Sequence, residues 1–288
     1  MILGLDIGGT KIRAGLVDPS GRIAGDPVSV PTGAHDSADD IFARIASLVR
    51  KTASGCECME GIGVGCTGPL DPENGIILEC NNLPTMHGFP LKSRLEDIFG
   101  VPVKMDNDAN ALVLGEAAYG AGKGFRRVLG LTLGTGLGSA LVVDGKMVSG
   151  ANSCCGEIWI SPYKDGIMED YLSGTAITSM YDRIIGKASG LNGAQIASLA
   201  RHGDSMAMKI FDEFASSLAF ALAWTVNMTD PDAVVLGGSV MDSSDLFLDK
   251  ADALFRRYVC PEPARNVKLR LSALGADAGV IGAAALLA

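Results

Sequence analysis

Two glycine-rich runs carry the residue types that cradle anions: Asp6-Ile7-Gly8-Gly9-Thr10-Lys11 and Leu133-Gly134-Thr135-Gly136-Leu137-Gly138. Glycine lets backbone N–H groups approach negatively charged oxygens closely, and threonine hydroxyls add donors. Gly8, Gly9, Thr10, Gly134, Thr135 and Gly136 are therefore candidate phosphate ligands. Asp6 cannot face a phosphate unless a cation intervenes, which suggests Mg²⁺ held through water. Lys11 suits a phosphate point charge and a solvated strand residue equally well. Neither run is a Walker A loop, because no Gly-Lys-Ser/Thr follows a four-residue spacer. The second also fails the dinucleotide-binding pattern, since no strand-turn-helix unit follows it.

The elements that must hold these runs come from a repeat. Leu3 to Asp18 lays on Leu129 to Asp144 without a gap, with Leu3/Leu129, Gly4/Gly130, Gly8/Gly134, Ala14/Ala140 and Asp18/Asp144 among the identities. Each copy predicts strand, glycine turn, strand, turn and a third strand. Ser37-Ala38-Asp39-Asp40 caps an expected helix to about Arg50, with Ile41, Ile45, Leu48 and Val49 on its apolar face. Gly61 to Leu70 predicts a buried strand opening into a loop, Leu91 to Phe99 a short helix, and Pro102 to Met105 a strand delivering Asp106-Asn107-Asp108 to a helix over Ala109 to Tyr119. Further on, Met206 to Met228 predicts a long helix with a stripe of Ile210, Phe214, Leu218, Leu222 and Val226. Ala233 to Leu236 predicts a buried strand running into Gly237-Gly238, Lys268 to Leu274 another strand, and Ala276 to Ala288 a terminal helix. Two similar α/β halves imply a bilobal molecule with a ligand cleft between lobes.

Composition narrows the class. The chain has 288 residues, 48% of them hydrophobic, a size and apolar content that suit about two packed domains. A net charge of −9, with scattered Lys and Arg, argues against a nucleic-acid or anionic-membrane surface. No apolar run is long enough to span a bilayer and no leader pattern opens the chain, so a cytoplasmic location is expected. Seven Cys, an odd number without framework spacing, fit a reducing compartment and read as small buried hydrophobes.

Motifs along nearly the whole chain then identify a resemblance. LDIGGTKI (Leu5 to Ile12), GVGCTGPLD (Gly63 to Asp71), NNLP (Asn81 to Pro84), DNDANA (Asp106 to Ala111) and LTLGTGLGSALVVDGK (Leu131 to Lys146) occur in that order. GEI (Gly156 to Ile158), EDYLSGTAI (Glu169 to Ile177), DPDAVVLGGSV (Asp230 to Val240) and DAGVIGAA (Asp277 to Ala284) follow. The chain resembles the ROK family (repressor, open reading frame, kinase) of the sugar kinase/actin/Hsp70 superfamily. The resemblance implies an α/β, two-lobed actin-like (ribonuclease H-like duplicated) fold with a central cleft. Its first lobe would be residues 1–116 completed by the returning 276–288, and its second 117–275.

It also implies ATP- and Mg²⁺-dependent phosphorylation of a hexose or N-acylhexosamine, glucose- or N-acetylmannosamine-like, at the 6-hydroxyl. Asp108, at a strand end, is the expected general base, with an ordinary helix N-cap as its other reading. Asn107, Glu157 and Glu169 are expected on the sugar hydroxyls, and Gly68 and Asn82 in the sugar-facing loop. The glycine runs would hold the ATP phosphates, and Gly238 would lie against the nucleoside. A homodimer is expected, as is common in the family.

The sequence departs from the family at its zinc site. The Gly-His pair after GEI is replaced by Trp159-Ile160, the Cys-rich loop is missing, and Cys154-Cys155 lie upstream, so no structural zinc is expected. The missing His would also touch the sugar, which leaves glucose, N-acetylmannosamine, allose and fructose open as substrates. Two alternatives stand beside a kinase. A sugar-dependent transcription regulator would need a DNA-binding domain ahead of the kinase-like body, for which a phosphate loop beginning at residue 6 leaves no room. A sensor that binds sugar or nucleotide without turnover would not need Asp108 together with Asp6 and both glycine runs.

Overall fold

A glycine turn between antiparallel strands begins the first unit of the chain: β1 (Ile2–Ile7) pairs with β2 (Lys11–Val17), Ile7 opposite Ile12. The structure, a computed structural model, describes residues 1–262 and 264–288. These form two α/β units, the first being Met1–Gly124 with Gly145–Cys154 and Ala273–Ala288, the second Phe125–Asp144 with Cys155–Ser272.

In the first unit β3 (Ile23–Pro31) extends the hairpin and α1 (Ala38–Thr52) follows. The Ser37 hydroxyl accepts the Asp40 N–H at 3.2 Å and so closes the start of α1, as its sequence predicts. β4 (Gly61–Cys66) is buried at every residue, the pattern of a strand covered on both faces. A two-residue ribbon, β5 (Leu70–Asp71) with β6 (Ile76–Ile77), precedes α2 (Leu91–Phe99), β7 (Val103–Asn107) and α3 (Asp108–Tyr119). The sheet order is β3-β2-β1-β4-β7, antiparallel on the hairpin side and parallel from β1 through β7.

The C-terminal segment returns to this unit as a helix over Ala278–Ala285. It lies so close to the sheet that a Cβ on Gly63 would stand 1.8 Å from the Ala283 carbonyl oxygen. That approach is why β4 carries glycine among its apolar residues. The helix starts two residues later than its sequence suggests, because Gly275–Asp277 form a 3₁₀ turn. Arg13 fixes that turn by donating to the Ala276 carbonyl and to Asp277.

The second unit repeats the frame. β8 (Arg127–Leu133) pairs antiparallel with β9 (Leu137–Val143), Leu133 opposite Leu137. The third strand of the repeated hairpin, β10 (Lys146–Met147), has 2 residues where β3 has 9, and lies in the Gly145–Cys154 segment assigned to the first unit. Next come α4 (Gly174–Ile185), α5 (Gly193–Arg201), α6 (Ser205–Thr229), β13 (Ala233–Gly237), α7 (Leu248–Tyr258) and β14 (Lys268–Leu271), after a small ribbon β11 (Pro162–Tyr163) and β12 (Gly166–Ile167). β13 lies parallel between β8 and β14. The sequence patterns assign no element to α4, α5 or α7. The stripe Ile210, Phe214, Leu218, Leu222 and Val226 of α6 is buried as its spacing predicts. β14 stops short of Leu274 because the Ala273 and Leu274 N–H groups donate to the buried Glu116 carboxylate instead of continuing a ladder.

Cys66 and Cys80 are buried as expected of small hydrophobes, but Cys58, Cys154 and Cys260 are exposed, and none of the seven is in a disulfide. Among the described residues no helix is long and apolar enough to cross a membrane.

Candidate active site

The first unit gathers the candidate residues from Asp6 through Asp108. The turn after β1 is closed by the Gly8 N–H donating to the Lys11 carbonyl at 3.0 Å, and Thr32 braces it by donating its hydroxyl to the Gly8 carbonyl at 2.6 Å. Among the described residues, the N–H groups of Gly9 and Thr10 have no partner, so this turn keeps two donors for an anion. Asn82 lies against it: a Cβ on Gly9 would stand 3.0 Å from the Asn82 carbonyl oxygen. The Asn82 amide also donates to the Thr67 hydroxyl at 3.0 Å. Gly68, next along, lies beside Asn107, whose amide nitrogen would be 3.0 Å from a Cβ there.

β7 delivers the acidic triplet. Asn107, and not Asp108, is the residue that caps α3, its side-chain oxygen accepting the Ala109 N–H at 2.9 Å. Asp108 is the first helical residue and its carboxylate accepts the same N–H at 2.8 Å. Burial pushes the Asp108 carboxyl above the usual range, against the lowering effect of that N–H. Asp106 accepts from the Asn107 N–H at 2.7 Å and from the Asn110 amide at 2.9 Å.

Asp6 sits opposite Arg13 in the hairpin ladder. Its carboxyl is pushed up to about 6, first by burial and then by the negative charge of Asp108, with Arg13 and Lys11 opposing. The returning helix comes within reach of it, since a Cβ on Gly279 would stand 2.5 Å from an Asp6 carboxylate oxygen. Lys11 itself is exposed. Arg13 and Thr67, which adjoin candidate residues, are not singled out by sequence reasoning. The only signal for Arg13 is its charge on a strand otherwise largely apolar.

The second unit places its own turn against a sugar-acid candidate. Gly134 N–H donates to the Gly136 carbonyl at 3.0 Å, and the Thr135 and Gly136 N–H groups have no partner among the described residues. The Glu169 carboxylate accepts the Leu137 N–H at 2.7 Å. A Cβ on Gly136 would meet that same carboxylate at 2.4 Å, so this glycine is required by a protein neighbour as well as by any phosphate. The start of α4 grips the turn from its carbonyl side: Gly174 N–H donates to the Gly134 carbonyl at 2.7 Å and the Thr175 hydroxyl to the Thr135 carbonyl at 2.8 Å. Thr175 lies within the EDYLSGTAI motif, which by itself suggests no role for it.

Glu157 follows Gly156, whose carbonyl accepts the Ser139 hydroxyl of β9. Its carboxylate accepts the Trp159 indole N–H. Ile160, at the place of the family His, is 56% exposed. Gly238 has φ +91°, and a Cβ on it would stand 2.4 Å from the Leu133 carbonyl oxygen, so its own backbone neighbours already require glycine. Among the described residues no group of three or more His, Cys, Asp or Glu is placed to hold a metal ion.

The sequence profile of the ROK family matches residues 2–288. The glucokinase of Halalkalibacterium halodurans is 33% identical, over 97% of this chain and 92% of its own length. The N-acetyl-D-glucosamine kinase of Vibrio cholerae is 32% identical over 99% of both. The crystal structure of a ROK family glucokinase from Streptomyces griseus in complex with glucose and AMPPNP superposes with a TM-score of 0.83, at 32% identity and covering 99% of this chain and 98% of that one. A profile match over essentially the whole chain, two hairpin-led α/β units and relatives of this kind have one reading: the chain belongs to the ROK family, with the actin-like α/β fold, and is one of its ATP-dependent sugar kinases.

Proposed function

We propose that the protein transfers the terminal phosphoryl group of ATP to the 6-hydroxyl of a hexose or N-acylhexosamine, glucose- or N-acetylmannosamine-like, with Asp108 as general base. The observation that carries this reading is the surroundings of Asp108: a half-buried carboxylate beginning α3, in the same unit as Asn107, Gly68, Asn82 and a turn with two unpartnered amides. Phosphoryl transfer asks the protein for positioning and for charge compensation more than for covalent chemistry. A base must lie about 2.6–3.2 Å from the hydroxyl it deprotonates, and it works better as its pKa rises toward the working pH. Burial moves Asp108 in that direction.

Asn107, Glu157 and Glu169 offer the donors and acceptors that sugar hydroxyls need, with Gly68 and Asn82 in the adjoining loop. The turns at Gly8, Gly9 and Thr10 and at Gly134, Thr135 and Gly136 offer amides to the phosphates, Lys11 adds a cation, and Gly238 adjoins the nucleoside. Asp6 fits a Mg²⁺ bound through water, as a half-buried carboxylate with the negative charge of Asp108 nearby. When bound, Mg²⁺ would offset negative charge on the phosphates. Relatives named glucokinase and N-acetyl-D-glucosamine kinase support both substrate classes.

The test is ADP release from ATP with glucose, N-acetylglucosamine, N-acetylmannosamine, fructose and allose. Turnover is expected with at least one of the first three, giving a 6-phosphate by phosphorus NMR. ADP release that no sugar raises above the sugar-free rate would overturn the reading.

A further inference from the structure

The contact between Glu169 and the second glycine turn has a thermodynamic consequence. The carboxylate takes the Leu137 N–H at 2.7 Å and fills the space a Cβ on Gly136 would occupy. Its own segment is stiff: the Ser173 hydroxyl donates to the Glu169 carbonyl at 3.0 Å and caps α4 by accepting the Ala176 N–H at 2.9 Å. The next two residues then hold the turn by its carbonyls, Gly174 at Gly134 and Thr175 at Thr135. The acid and the amides of Thr135 and Gly136 therefore form one braced piece of structure.

A negative carboxylate against an anion-binding turn works against the anion. Its repulsion is strong where water is scarce and weakens when hydroxyl donors spread the charge. Resting on the reading of Glu169 as a sugar ligand, we propose that Glu169 is the element that couples the two substrates. Without sugar its charge lowers the affinity of the turn for nucleotide phosphates, and with sugar hydroxyls donating to it that penalty falls. Sugar donation also fixes the carboxylate, and through the Leu137 N–H it fixes the turn. Both effects have the same sign, so sugar tightens nucleotide and, by reciprocity, nucleotide tightens sugar by the same factor.

The experiment is calorimetric titration of AMPPNP with Mg²⁺ into the full chain, with and without saturating glucose, or N-acetylglucosamine if that is the better substrate. In the unsubstituted protein the sugar should tighten AMPPNP about fivefold or more, in the usual range of such couplings. Glu169→Gln keeps an acceptor for Leu137 but removes the charge. It should bind AMPPNP about two- to fivefold tighter than the unsubstituted protein when sugar is absent, and its coupling should fall toward one. A residue that only props up the turn would give the opposite sign, a weaker AMPPNP, and that result overturns the proposal. So does a coupling of one in the unsubstituted protein. Thr175→Val, which removes one brace and no charge, serves if Glu169→Gln fails to fold; it should at least halve the coupling, and unchanged coupling in it would also overturn the proposal. Turnover in the sugar panel with no coupling would defeat this inference alone, whereas absence of any sugar binding would defeat it together with the proposed kinase function.

Discussion

The two glycine hairpins share a frame and differ in charge. In the first, Asp6 stands opposite Arg13 across the ladder; at the matching place in the second, Thr132 stands opposite Gly138. The first turn is followed by Lys11, the second by Leu137, whose N–H goes to Glu169. A third difference is the brace: Thr32 holds the first turn, with Asn82 packed against it, and Gly174 and Thr175 hold the second. What was duplicated is thus an amide-lined turn between two strands. A carboxylate and an arginine face each other only across the first hairpin, while at the second an acid reaches the turn from a distant segment.

Four changes probe that division, beginning with the largest effect. Asp108→Ala should lower kcat by about 10²- to 10⁴-fold, the usual worth of a positioned general base, with sugar affinity little changed. Calorimetry with the sugar and steady-state rates would check it; equal kcat in the variant would move the base elsewhere. Gly63→Ala tests the packing under the first unit's parallel strands. A methyl there meets the Ala283 carbonyl at 1.8 Å, so about 3 kcal/mol of stability should be lost in denaturant unfolding. β13, which likewise lies parallel to the inner hairpin strand, carries Ala233, Val234, Val235 and Leu236 before its glycine and has no such constraint within that run.

Asp6→Asn should do the reverse and stabilise the protein. The Asp6 carboxyl titrates near 6 in the folded state and near 4 unfolded, so the folded state holds the proton more tightly. Stability is therefore lost as pH rises through that window, and the substitution should recover about 2 to 3 kcal/mol at pH 7 in EDTA and only about 0.5 kcal/mol at pH 4. Unfolding midpoints across pH would show it, and a gain that does not fade on acidification would rule out a buried Asp6 charge as its cause. The same variant should lose activity in Mg²⁺. Last, Trp159→Phe removes the indole N–H from Glu157 and should raise the sugar KM up to about tenfold with a smaller change in kcat. An unchanged KM would separate Glu157 from the sugar.

Much of this is legible in the residues. The repeat of Leu3–Asp18 on Leu129–Asp144 and the cap at Ser37 follow from backbone chemistry, and the structure keeps them. Glycine at position 136 reads as room for a phosphate; only the folded chain shows that Glu169 fills that room, because the contact joins residues far apart in sequence. The same is true of Gly238, whose neighbour is the Leu133 backbone. Sequence offers Asp108 as a cap, yet Asn107 takes that place, because the choice between adjacent carbonyl-bearing side chains depends on torsion angles that sequence does not fix. Lys268 to Leu274 reads as one strand because nothing local signals that Glu116 will take the Ala273 and Leu274 amides.

Whether Asp108 takes the proton from a sugar hydroxyl can be seen in a crystal structure of the protein with its preferred sugar and AMPPNP. The 6-hydroxyl oxygen should then lie about 2.6–3.2 Å from an Asp108 carboxylate oxygen. A complex in which another side chain meets that hydroxyl, with Asp108 turned only to the Ala109 amide, would refute the assignment.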